Sequence, residues 1–174
     1  MRLWRSTATV YVCSGGGVTP TRCITTDTLH CFYLGVLKVW CTQAVWLLLE
    51  SDVYGHMGTA EERMASAVLV LRAALMRFYK QRHRDHPTEQ LTQLSDLTPK
   101  MLGSRVAKRL KTKGAETWGF ALFALAELRC HLHRLPPLGA RLLRAGENME
   151  RVDGIWRRSE WVMQSAHVED PLAL

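Results

Sequence analysis

Apolar side chains recur at three- and four-residue spacing over most of this chain, which predicts helices rather than strands. From Asp27 onward, Leu29, Tyr33, Val36, Trp40, Ala44 and Leu47 form a stripe with further apolar residues on its flanks, so this helix is expected to be buried on most sides and to end near Glu50. A second helix starts at Thr59, whose hydroxyl can cap the first turn while Glu62 reaches back from the third helical position. Its stripe is Met64, Ala67, Val68, Leu71, Leu75 and Phe78, and it runs out by Pro87. Thr98 followed by Pro99 opens a short helix that Gly103 stops. A long apolar helix runs from about Ala115 to Pro136 and Pro137, which break it. The last helix carries Leu142, Leu143, Ala145, Met149, Val152 and Trp156 on its apolar side. Only the front differs: TATVYV at 7–12 alternates and ends at Gly15, and a second short strand fits 22–25.

At 174 residues and 47% hydrophobic, the chain can fill one ordinary core. The expected fold is mainly α: a short β and loop segment at 1–26, a helical domain at 27–163 and a flexible tail at 164–174. The net charge of +7 is unevenly spread. Between Arg72 and Lys113 eleven Lys and Arg face three acids, a balance of +8, which leaves −1 for the rest. A basic excess confined to one segment is the footprint of a phosphate-backbone contact, because clustered cations gain by releasing counterions. Exposed helix faces of a soluble protein carry Lys and Arg too, and that alternative stands beside it. Within GSRVAKRLKTKGAE only Val106, Ala107 and Leu110 are apolar, too few to fix a helix, so an exposed basic arm is expected at about 100–114. The candidate nucleic-acid contacts are Arg82, Arg84, Lys100, Arg105, Lys108, Arg109, Lys111 and Lys113.

Other chemistries find little support. Five cysteines are odd in number, and none are paired at the two-residue spacing of a zinc knuckle, so buried thiols in a reducing compartment are expected rather than a metal cluster. Gly15 to Gly17 lack the Lys-Ser/Thr that completes a phosphate-binding loop, and no small-molecule cofactor is expected. The run from Cys31 to Leu49 carries a single charge, Lys38, near its middle. A cation there costs ~2.5–3.5 kcal/mol in a bilayer, which favours a buried helix over a membrane span.

The order strand, Asp27, helix sets a carboxylate where metals and phosphates are commonly held. Asp27 could ligate Mg²⁺ there, or simply cap the helix with its oxygen. The run Asp27-Thr28-Leu29-His30, followed by Leu34-Gly35 and a long hydrophobic helix, resembles a segment of the DDE-type transposases of several eukaryotic transposon groups, the CACTA-like ones included. LTPKMLG, the basic arm and KGAETWGF resemble transposon-derived reading frames as well. The likeness spans about residues 20 to 160 and implies the C-terminal part of an RNase H-like α/β core. In such cores acidic residues hold two divalent metals to cut and rejoin DNA. Asp27 and His30 match an accessory motif that follows the second catalytic aspartate in some of these families, with Asp27 the candidate metal ligand, and Glu116, opening a helix after the basic arm, stands in for the family's glutamate. Glu116 also suits a helix start with no metal at all, through the macrodipole. The family's first aspartate belongs on an earlier strand, yet no Asp or Glu precedes Asp27. The resemblance therefore implies a truncated, catalytically inactive protein, intracellular and nuclear if it binds DNA, with Mg²⁺ needed only for cutting. A helical protein-interaction module is the alternative.

Overall fold

A computed structural model of the chain describes residues 29–55 and 58–158. The strands expected at 7–12 and 22–25, Asp27 and the tail lie outside them. The described residues are mainly helical, with one isolated antiparallel bridge between Gly103 and Lys108. A π-helical stretch, Leu29–Val36, runs into α1 (Leu37–Glu50); α2 (Ala60–Asp85), the single turn α3 (Pro99–Leu102) and α4 (Gly114–His131) follow. A 3₁₀ turn, Leu132–Arg134, leads to α5 (Pro137–Arg158).

The core is built around α1 and α4, with α5 laid across both and α2 closing one side. The continuous helix Leu29–Glu50 has the length and apolarity to cross a membrane, and here ten residues of α1 are buried in the protein interior. Lys38 finds a partner outside the apolar face, its ammonium donating to the Thr112 carbonyl at 3.0 Å.

The stripe expected along this helix is corrected at its start. Val36 is 59% exposed, whereas Phe32 and Leu37 are buried. A π-helix hydrogen-bonds i to i+5, so residues five apart share a face, and the buried line steps from Phe32 to Leu37 before resuming α spacing at Cys41, Ala44 and Leu48.

Helix α2 follows its pattern closely. Thr59 and Glu62 form the expected capping box, and Ala67, Val68, Leu71 and Leu75 are buried. Tyr79 joins them, its phenol oxygen accepting the Leu94 N–H.

On α5 Leu142, Leu143, Met149 and Trp156 of the expected stripe pack against the core, and two of its members do not. Ala145 is exposed and Val152 is 37% exposed, while Gly146 and Asp153 are buried. Any side chain at Gly146 would overlap Trp40 and Leu125, so the missing Cβ is what lets α5 approach. Trp40 fastens the same crossing by donating its indole N–H to the Leu142 carbonyl at 2.9 Å. Asp153, 1% exposed, accepts hydrogen bonds from the Tyr33 hydroxyl and the Arg157 guanidinium. Arg157 in turn lies 5.2 Å over the Trp118 ring, so one buried carboxylate ties the first and last helices together.

Burial and the Asp153 carboxylate push the Tyr33 phenol up from 10.0 to about 12. A group whose folded pKa is raised stabilises the fold below its unfolded pKa and loses that contribution as pH rises through the folded value. Denaturation midpoints are therefore expected to fall between pH 10 and 12 more steeply in the wild type than in Tyr33→Phe. Parallel pH profiles for the two would show that Tyr33 does not latch α5.

Candidate nucleic-acid interface

The basic segment at 100–113 turns back on itself as a small hairpin whose first leg is the α3 turn and whose second is residues 108–113. Gly103, at φ 80°, turns the chain out of α3 in a backbone region that other residues enter only with strain. The Arg109 N–H then donates to the Leu102 carbonyl at 3.0 Å, and the Lys111 N–H to the Met101 carbonyl at 2.9 Å. At the apex the Ser104 N–H meets the Ala107 carbonyl, and the Ala107 N–H returns to the Ser104 hydroxyl. The absence of a helix here agrees with the scarcity of apolar residues, but the segment is not a free arm. Leu102 and Leu110 are buried, the Trp46 indole donates to the Leu102 carbonyl, and Thr112 shares a 2.8 Å hydrogen bond with Thr117.

The fold divides the eight candidate cations into two sets. Arg82 binds Glu89 through two hydrogen bonds of 2.6 and 2.9 Å, which holds that carboxyl below its ordinary range. Arg105 and Lys108 both reach Glu50, and Lys108 also sits 5.4 Å over the Trp46 ring. Arg82 and Lys108 are thus matched closely by the fold's own acids, whereas Arg105, 80% exposed, meets Glu50 only at 3.4 Å. Arg84, Lys100, Arg109, Lys111 and Lys113 are exposed and form no ion pair with any described residue. Four of these five lie on or beside the hairpin legs. Lys100 adjoins Met101, whose carbonyl holds Lys111, and Lys113 follows two residues on.

His30 and Glu116 come from neighbouring helix starts, since Leu29 packs against Gly114 at the beginning of α4. His30 is exposed in the π-helical stretch. The Glu116 carboxylate accepts the Lys113 N–H at 2.8 Å, so it caps α4. Asp27 lies outside the described residues. Among the described residues no cluster of three or more His, Cys, Asp or Glu is placed to hold a metal ion. A polar cleft of about 130 Å³ at the end of α2, lined by Tyr79, Arg82, His83, His86 and Glu89, holds the balanced Arg82–Glu89 pair.

Two features of this surface escaped the sequence pattern: the anchoring of the arm by Leu110, and the apical Val106, which is 99% exposed. The signal available for both was the glycine before the turn and the odd apolar residues inside a basic run. In class, the fold and this surface define a helical domain carrying a pinned basic hairpin. Comparison with known proteins brings no match: no family model, no curated protein and no solved structure is similar to the chain.

Proposed function

We propose that this protein binds DNA through phosphate contacts made by the hairpin, as a transposase-like protein that holds DNA without cutting it. The observation that carries the reading is the gathering of Lys100, Arg109, Lys111 and Lys113, exposed and without an acidic partner among the described residues, on one rigid element. A cation already matched by a carboxylate must give up that pair to neutralise a phosphate, whereas an unmatched one can displace the counterions condensed on the DNA without that loss. The likeness of Asp27 to His30 and of Leu34-Gly35 to a transposase segment supports the origin, and the use of Glu116 as a cap supports the non-cutting part.

Fluorescence anisotropy with duplexes of equal base composition and unrelated sequence tests the reading. Similar affinities are expected, each falling steeply as salt rises, at about 0.9 decade per decade of salt for each phosphate held. Weak binding with no salt dependence would sink it and leave the second reading, a helical protein-interaction module. That alternative draws on the exposed Leu69 and Val70 of α2 and on Val36 and Val39 of the first helix. Mg²⁺-dependent nicking of supercoiled plasmid would overturn the non-cutting part.

A further inference from the structure

The hairpin apex presents an apolar side chain that the fold does not use. Val106 is 99% exposed, against 62% for Leu69, the next in that respect among the large exposed aliphatic residues of the described chain. Single exposed apolar residues are common on protein surfaces, so exposure alone means little. Here, however, the residue is held at a fixed point. The paired hydrogen bonds between Ser104 and Ala107 lock the turn, Gly103 and the Gly103–Lys108 bridge set its direction, and buried Leu102 and Leu110 anchor the legs. Lys100, Arg109, Lys111 and Lys113 lie behind the apex on or beside those legs. An apolar tip on a cationic stem fits a duplex: the stem meets phosphates and the tip reaches what lies between the two backbones.

Where the Gly103–Lys108 bridge pairs them, the two legs stand ~4.8 Å apart, so with side chains the tip fits the major groove, about 12 Å wide, and is too broad for the minor groove, about 6 Å wide. In the major groove the apolar feature offered by the bases is the thymine C5-methyl. We infer that Val106 is a base-contacting residue, its methyl groups seated against thymine methyls in the major groove while the stem cations hold the flanking phosphates. This rests on the DNA-binding reading and adds to it a mild preference for thymine at the contacted step. A lipid surface is the competing partner for an apolar tip with basic flanks, but one valine buries too little apolar area to hold a bilayer, where stable anchoring takes a larger face or a second signal.

The test uses two duplexes of identical sequence, one with every thymine replaced by uracil, which pairs alike and lacks the methyl. The full chain and its Val106→Ser variant are titrated on both across a salt series. The wild type is expected to bind the thymine duplex about fourfold more tightly than the uracil duplex, the change for roughly one buried methyl. Val106→Ser should bind both at the uracil level with an unaltered salt slope, since no charge is removed. Because Val106 makes no buried contact, the variant should fold as the wild type does, which circular dichroism checks. If the wild type binds both duplexes equally and with a steep salt slope, the inference is overturned and the DNA reading survives. Failure of the wild type to bind either duplex sinks the DNA reading itself. Binding to phosphatidylcholine–phosphatidylserine vesicles but not to DNA, lost in Val106→Ser, would make the tip a lipid contact and overturn both.

Discussion

Replacing Lys100, Arg109, Lys111 and Lys113 together by alanine is expected to lower DNA affinity at about 0.1 M salt by roughly three and a half orders of magnitude. The magnitude follows from counterion release, in which each phosphate neutralised contributes a slope of about 0.9 in log affinity against log salt. Four such contacts contribute about 3.6, so the variant's salt dependence should flatten by that amount and its affinity should converge on that of the wild type near 1 M salt. The loss should be uniform across sequences, because phosphates carry none. All four side chains are exposed and without ion pairs among the described residues, so the variant should fold. A matched control is Arg82→Ala with Lys108→Ala, which removes cations already bound to Glu89 and Glu50. The control should leave most of the slope in place while costing some stability. Equal flattening in the two variants would mean that total charge, not the hairpin, governs binding.

Phe123→Ala should have the largest effect on the fold itself, a loss of about 3–5 kcal/mol. Phe123 is fully buried on α4, with its ring 5.7 Å from Phe120 on the same helix and 5.7 Å from Phe78 on α2. Truncation removes the transfer free energy of the ring and leaves a cavity between α4 and α2. Domains of this size hold about 5–15 kcal/mol in all, so the variant should be marginal at room temperature. Urea titration followed by far-ultraviolet circular dichroism measures the change. A shift below about 1 kcal/mol would place Phe123 outside the cooperative core.

Much of the helical plan was legible because helix periodicity is a local property. The capping box at Thr59 and Glu62, Pro99 opening α3 and Gly103 ending it all follow from short-range geometry that neighbouring residues set. The buried stripes depart from the local pattern where the helical period changes. Nothing in Leu29 to Val36 announces an i to i+5 repeat, and with it the buried face moved from Val36 to Phe32 and Leu37. On α5 a hydrophobicity pattern ranks Ala145 above Gly146 and Val152 above Asp153, whereas the fold buries the glycine and the carboxylate. Gly146 is chosen by the volume of Trp40 and Leu125 on two other helices, and Asp153 by the hydroxyl of Tyr33 on the first helix together with Arg157 one turn further along α5.

The sequence by itself determined that the protein is mainly helical, where most helices start and stop, and that its excess positive charge belongs to one segment. Which of those charges are available was decided only by the tertiary structure. Arg105 and Lys108 stand within the same basic run as Arg109 and Lys111, yet the first two are matched by Glu50, more than fifty residues earlier. The physical reason is range: helix propensity and capping act over four residues of chain, while ion pairing, close approach and burial depend on separations in space that no local pattern encodes.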